Sequence, residues 1–198
     1  MNKFIFDVDG TLTPSRGIID LKFKAFFNTF CLTNNVYLVT GSDKVKTVEQ
    51  ISEPTYNLCK RVYQCNGNDV WEKDVNIHTN DWTLPEFAEY FLNGCLYESR
   101  FNLRTGTHIE KRPGMVNFSV VGRGADAEQR QEYVVYDTST NERNTIANAF
   151  NTMFPDLEAK VGGETGIDIS PKGFDKSQII KDFDKEDTTS VSYTHLTL

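Results

Sequence analysis

Phe4-Ile5-Phe6-Asp7-Val8-Asp9-Gly10-Thr11-Leu12-Thr13 decides the fold. Its first three residues are aromatic or β-branched and run into a turn signal, the pattern of a buried strand reaching its end. Side chains two apart on an extended segment point the same way. Asp7 and Asp9 therefore leave the strand's C-terminal end together, before Gly10 breaks the ladder. Open α/β sheets place their ligands at such ends. Two ionised carboxylates this close repel, and such a pair holds a cation or shares a proton. Asp7 suits attack on an electrophilic phosphorus with formation of an aspartyl-phosphate. Asp9 suits general acid and base work on the leaving and attacking oxygens. A Mg²⁺ on Asp7 and Asp9 would offset the repulsion between a carboxylate nucleophile and an anionic phosphate. Thr11 offers a hydrogen bond to phosphoryl oxygens, and Arg16, in the polar loop Pro14-Ser15-Arg16-Gly17, is a candidate for binding the substrate. The other reading of the acidic pair is a solvated turn, which Asp-x-Asp alone would favour and the full string does not.

The 198 residues, 38% hydrophobic and 25% charged, suit one globular domain or a core with a modest inserted cap. A net charge of −7 is not the electrostatic footprint of a nucleic-acid binder, so no nucleic-acid partner is expected and local basic residues must bind any phosphate. No basic n-region with a longer apolar stretch follows Met1, and no run approaches a membrane span, so a cytoplasmic protein without a membrane partner is expected. Cys31, Cys59, Cys65 and Cys95 form no C-x-x-C pair and read as buried free thiols of a reducing compartment. His78, His108 and His195 are isolated and read as surface or hydrogen-bonded side chains.

Asp20 to Cys31 has helical spacing (Leu21, Phe23, Phe26, Phe27, Phe30), and Val36-Tyr37-Leu38-Val39 is a second buried strand. Strand, helix, strand favours a parallel sheet. Thr40-Gly41-Ser42-Asp43 again sets hydroxyls at a strand end. Ser42 or Asp43 can cap a helix over 44–51, or a hydroxyl there can bind phosphate beside the helix N-terminus. Arg61 to Cys65 reads as a third strand, followed by the Asn66-Gly67 turn signal. From about Asp81 the pattern changes. Trp82 to Leu92 is helical with Pro85 in its first turn, Thr107–Arg112 and Met115–Val121 read as paired antiparallel strands around Pro113-Gly114, 129–136 and 142–154 read as helices, and Ala159–Val161 and Ile167–Ser170 as two further strands. The expectation is an α/β fold: a parallel-sheet core over 1–80, an inserted α+β cap over 81–170, and the rest of the core over 171–198. Arg112 and Arg123 bracket a hairpin. They either converge on one anion, which guanidinium geometry favours, or sit solvated on an exposed sheet face.

Phe6-Asp7-Val8-Asp9-Gly10-Thr11-Leu12-Thr13 resembles the first motif of the haloacid dehalogenase (HAD) superfamily of phosphohydrolases and phosphomutases, which implies a Rossmannoid core with Asp7 as nucleophile and Asp9 as acid/base. Gly106-Thr107-His108-Ile109-Glu110-Lys111-Arg112-Pro113-Gly114-Met115-Val116-Asn117, running on to Gly122-Arg123, resembles the cap strands of eukaryotic-type phosphomannomutases. That resemblance implies Mg²⁺-dependent interconversion of mannose 6-phosphate and mannose 1-phosphate, on the way to GDP-mannose, and a possible homodimer through the cap. It gives Arg112 the substrate's distal phosphate, with Asn117 and Arg123 on the same surface. Thr105 stands where an arginine should precede Gly106, and Arg104 is the substitute. The second-motif hydroxyl matches Ser42 in the phosphomannomutases and Thr40 in many HAD phosphatases. Asp168 matches a cap acid that hydrogen-bonds sugar hydroxyls, while a neighbouring family serine falls on Gly166. Lys176, in Gly173-Phe174-Asp175-Lys176, matches the third-motif lysine more closely than Lys172 does. The other reading of Lys176 is an exposed lysine opening a helix over 177–183.

The same residues suit a sugar-phosphate phosphatase with water as acceptor, or a catalytically silent binding protein. The third possibility arises because the resemblance stops at Asp187. The family continues with a strand and a metal-binding acidic motif, whereas no acid follows Asp187 here and 188–198 reads as a foreign tail or a truncated frame. Fewer anionic ligands mean weaker metal binding, so lower activity than a relative carrying that motif is expected.

Overall fold

The computed structural model describes residues 3–183 and 189–192. The chain divides into two compact units, Met1–Asn80 with Gly173–Leu198, and Asp81–Lys172.

The first unit opens with strand β1 (Lys3–Phe6) and helix α1 (Leu21–Thr33), which Asp20 caps by accepting the Lys22 and Phe23 N–H groups. Strand β2 (Asn35–Val39), helices α2 (Lys44–Ile51) and α3 (Glu53–Leu58) and strand β3 (Arg61–Gln64) follow. Alternation along the strands fixes what each face buries. Phe6 packs edge-on to Phe27 and Phe30 of α1 at 5.6 and 6.1 Å, so the phenylalanines of the helix cover one face of β1. Val36 and Leu38 point into the same cluster as Phe27, whereas Ile5, Val39 and Tyr63 form a second cluster with Val70 and Ile179. β1, β2 and β3 are parallel.

Two strands that the sequence reading does not contain extend the sheet. β4 (Asp69–Glu72) pairs antiparallel with β3, and β5 (Val75–Thr79) pairs antiparallel with β4. The core is thus a mixed sheet with a parallel centre. On the far side β10 (Thr189–Ser192) pairs parallel with β1, Lys3 opposite Thr189 and Phe6 opposite Ser192, giving the order β10-β1-β2-β3-β4-β5. Part of the stretch read as a foreign tail therefore belongs to the sheet. The remainder, with His195, lies outside the described residues.

The second unit has its own core. Helix α4 (Glu86–Glu98) starts four residues later than the spacing of Trp82 and Phe87 suggests and runs six residues past Leu92. The residue before a proline is pushed out of the α region, so Pro85 precedes the helix as its cap instead of lying in its first turn. Strands β6 (Ile109–Arg112) and β7 (Met115–Phe118), helices α5 (Ala127–Thr140) and α6 (Glu142–Met153), and strands β8 (Leu157–Gly162) and β9 (Gly166–Pro171) complete it. The antiparallel order is β6-β7-β9-β8. Val116, Phe118, Ile167, Ile169, Leu157 and Ala159 pack with residues of α4 to α6. Lys176–Asp182 is a 3-10 segment, where an α-helix from Ser177 is expected. Among the described residues no helix is long and apolar enough to cross a membrane.

Candidate active site

The turn after β1 is built to present carboxylates. Gly10 takes φ +75, a region that glycine enters without cost, and its N–H bonds the Thr13 carbonyl at 2.8 Å. Both oxygens of Asp7, which is 7% exposed, are held: Oδ1 accepts the Val8 N–H at 2.7 Å, and Oδ2 accepts the Lys176 ammonium at 2.7 Å. A buried carboxylate needs such partners. The pair spans the two sequence segments of the first unit and fixes the orientation of the carboxylate.

Asp9 is held by three donors. Its Oδ1 accepts the Arg16 N–H at 2.7 Å and Gln50 Nε2 at 2.8 Å, and its Oδ2 accepts Ser42 Oγ at 3.3 Å. The loop after β2 is arranged for this. Asp43, not Ser42, caps α2 by accepting the Lys46 N–H, which leaves the Ser42 hydroxyl to reach Asp9. Thr40 is fully buried and its Oγ1 accepts the Ser42 N–H at 3.1 Å, which shapes the loop and leaves the Thr40 O–H to donate. Arg16 sits at φ +55 and meets Asp9 through its backbone. Thr11 Oγ1 is buried with no hydrogen-bond partner, a donor awaiting an acceptor.

Gln50 has no place in the sequence reading. It is 3% exposed and also donates to Thr13 Oγ1 at 3.3 Å. Thr47 and Gln50, polar residues three apart on the buried face of α2, are the pattern that marks it.

Candidates in the second unit gather on one face of its sheet. Glu110 lies opposite Asn117, Asn117 opposite Asp168, and Asp168 opposite Lys160. Arg112, two residues from Glu110, shares that face. Glu110 Oε2 accepts Arg112 Nη2 at 2.5 Å and Arg123 Nε at 2.8 Å, so the two arginines converge on an internal carboxylate. The trio keeps one net positive charge. Burial pulls the Arg123 guanidinium below its ordinary value, with Glu110 opposing and Arg112 adding to the fall. Asn117 Nδ2 donates to Asp168 Oδ1 at 2.7 Å, leaving Asn117 Oδ1 buried without a partner. A Cβ on Gly166 would stand 2.6 Å from Asn117 Nδ2, so a larger residue there requires the Asn117 side chain to move.

Arg104 lies beyond the C-terminal end of α4. Its guanidinium donates to the carbonyls of Leu96 at 2.9 Å, Leu103 at 3.0 Å, Ser99 at 3.3 Å and Phe101. A cation at a helix C-terminus satisfies the last carbonyls and the dipole. Both terminal nitrogens of Arg104 thus anchor it to the end of α4 and the following loop.

The described residues contain no group of three or more His, Cys, Asp or Glu side chains placed to hold a metal. Asp7 and Asp9 are nonetheless two hard oxygen donors at one strand end, and among the described residues Asp9 Oδ2 carries only the long bond from Ser42. Mg²⁺ takes one or two carboxylates alongside water and substrate phosphate, so these residues fit it.

A family profile described as eukaryotic phosphomannomutase matches residues 23–195. The matched pattern therefore extends past Asp187. The chain is similar to a curated phosphomannomutase of Galdieria sulphuraria, 32% identical over 183 residues, covering 87% of this chain and 72% of the relative. Among solved structures it resembles the C-terminal domain of the C. albicans trehalose-6-phosphate phosphatase, with TM-score 0.64 and 17% identity over 91% of this chain, which spans 60% of that one. It also resembles a haloacid dehalogenase-like hydrolase from Bacteroides thetaiotaomicron, with TM-score 0.56 and 14% identity, covering 91% of this chain and 76% of that one.

Proposed function

The chain belongs to the eukaryotic phosphomannomutase family, and from that premise we propose that it moves phosphoryl groups on a hexose phosphate through Asp7, interconverting mannose 6-phosphate and mannose 1-phosphate. One observation carries this reading. Asp7 is buried with both oxygens anchored, Lys176 at 2.7 Å, while Asp9 stands two residues on in a separate cradle of three donors.

Phosphorylated Asp7 donates to a free sugar hydroxyl, giving a bisphosphate, and the turned sugar then returns its other phosphate to Asp7. Asp9 takes the proton from the accepting hydroxyl and gives one to the departing sugar oxygen. The Lys176 ammonium offsets the charge that gathers when a carboxylate meets a phosphate. Thr11, whose hydroxyl has no partner, donates to the phosphoryl oxygens, and Ser42 joins it by turning its one O–H away from Asp9. Mg²⁺, held by Asp7 and Asp9, would neutralise the phosphoryl charge. Arg112 and Arg123, with the net positive charge they share with Glu110, take the substrate's other phosphate, and Asp168 with Asn117 takes sugar hydroxyls.

Incubating the protein with Mg²⁺, mannose 1-phosphate and a hexose bisphosphate primer tests this. Mannose 6-phosphate is the expected product, with little free phosphate. Free phosphate alone would establish the hydrolase reading, and neither product would overturn phosphoryl transfer altogether.

Gln50 acts on the reaction only through Asp9. Gln50→Leu removes one charge-assisted donor, and a lost bond of this kind costs about 1.5–3 kcal/mol. The expected result is a fall in kcat of about tenfold or more with KM within about twofold, since no substrate contact is lost. An unchanged kcat would show that Arg16 and Ser42 suffice to hold Asp9.

A further inference from the structure

Two of the four cysteines meet on the far side of the first unit. Asn28 on α1 accepts Thr55 Oγ1 of α3 at 2.8 Å, which clamps the two helices together. Cys31 follows Asn28 by three residues on α1, a spacing that keeps side chains on one helix face, and Cys59 caps the C-terminal end of α3, which carries Thr55. The clamp therefore brings the two cysteines close enough for each thiol to shift the ionisation of the other. Cys59 Sγ–H also reaches the Thr55 carbonyl at 3.7 Å.

Both thiols line one surface cavity of about 740 Å³, with Asn57, Lys60, Glu72 and Lys73 on its walls. The cavity lies at the N-terminal ends of β2 and β3, whereas Asp7 follows the C-terminal end of the parallel β1, so it is a separate place. Cys31 is 5% and Cys59 2% exposed, so the cavity is their route to solvent. Asn57 Oδ1, buried and without a hydrogen-bond partner, lines the same cavity.

We propose that Cys31 and Cys59 form a dithiol site which a small hydroperoxide, admitted by this cavity, converts to a disulfide. The Cys31 thiolate attacks one peroxide oxygen, the O–O bond breaks, and hydroxide or alkoxide leaves, giving a Cys31 sulfenic acid. Cys59 sulfur then attacks Cys31 sulfur. The S–S bond forms, and hydroxide leaves with the Cys59 proton as water, so two thiols are oxidised by two electrons and one peroxide is reduced. Asn57 Oδ1 is the acceptor for the peroxide O–H. The division of roles follows from the opposite shifts of the two thiols. Cys59 lowers Cys31 against the opposing effect of burial, while Cys31 and burial together hold Cys59 protonated. The cross-link would close the chain around β2, the following loop and α2, the segment that carries the Ser42 and Gln50 partners of Asp9.

The test treats the folded chain with hydrogen peroxide at neutral pH, then blocks residual thiols and maps the peptides. The expected result is a fall of about 2 Da, the two thiol hydrogens, a link between the Cys31 and Cys59 peptides, and reversal by dithiothreitol. Cys59→Ser should leave a Cys31 sulfenic acid that dimedone traps, and Cys31→Ser should leave Cys59 unoxidised. Cys95, whose thiol burial pushes up to about 11, is the internal control. Linkage to Cys65 or Cys95, oxidation of Cys59 in Cys31→Ser at the wild-type rate, or loss of the Cys31 and Cys59 thiols no faster than that of Cys95 would overturn the proposal.

Discussion

Asp7→Asn is expected to lower phosphoryl transfer by at least about 10⁴-fold, the scale on which enzymes lose rate when a covalent nucleophile is removed. Asparagine keeps the shape of the side chain, and its amide oxygen still accepts one of the two donors that hold Asp7, the Val8 N–H or the Lys176 ammonium. It lacks the negative charge and the second oxygen, and an amide does not form a stable acyl phosphate. The variant should therefore fold and bind hexose phosphate while failing to label from radioactive bisphosphate. In the unaltered chain that label should sit on residue 7 as an acyl phosphate, which borohydride reduction marks in a peptide map. Transfer within tenfold of the unaltered chain, or a label on another residue, would remove Asp7 from the role and leave the pair with Lys176 as a structural ion pair.

Asp7 and Asp9 are legible because their information is local. An apolar run, period-two alternation and a glycine place both carboxylates at one strand end with no knowledge of the rest of the chain. Lys176 comes only through resemblance, since its bond to Asp7 spans 169 residues and no short-range pattern predicts it. Gln50, 41 residues from Asp9, leaves only the weak mark of a polar side chain on a buried helix face. The β4–β5 hairpin is illegible for another reason. Val75-Asn76-Ile77-His78-Thr79 does alternate, but over only five residues and with every one of them exposed, so no buried face backs the pattern. The contacts of Arg104 are not legible either, because arginine suits anions and backbone carbonyls equally, and the end of α4 supplies carbonyls. Arg112 and Arg123 are read as partners by type and hairpin position, but Glu110 between them is visible only once the strands are paired.

Gly122 holds together the segments around 105 and 121 in the second unit. It sits at φ +89, and a Cβ there would stand 1.8 Å from the Thr105 carbonyl oxygen, well inside any contact distance. The segments on either side are bound closely: Thr105 N–H and Oγ1 both donate to Val121 O, at 2.9 and 2.7 Å, and Arg123 N–H donates to Thr107 O at 2.8 Å. Val120 and Val121 are part of the unit's buried core. Gly122→Ala must therefore push the two segments apart, breaking these bonds and displacing the valines, with a loss of more than about 4 kcal/mol, in the range that single substitutions reach only by such mechanisms. Gly163→Ala supplies the comparison. Gly163 has φ +59 but nothing within 4 Å of an added Cβ, so only the backbone strain applies and the loss should be about 1–2 kcal/mol. Hydrogen exchange read unit by unit distinguishes the two. In Gly122→Ala the amides of β6, β7 and β9 should lose protection while those of β1, β2 and β3 keep it, and Gly163→Ala should change protection only weakly. Arg123 would also lose its fixed approach to Glu110, so any surviving Gly122→Ala protein should bind hexose phosphate as poorly as Arg123→Ala. Equal destabilisation by the two alanines would mean that left-handed backbone geometry, and not the Thr105 contact, sets the requirement for glycine at position 122.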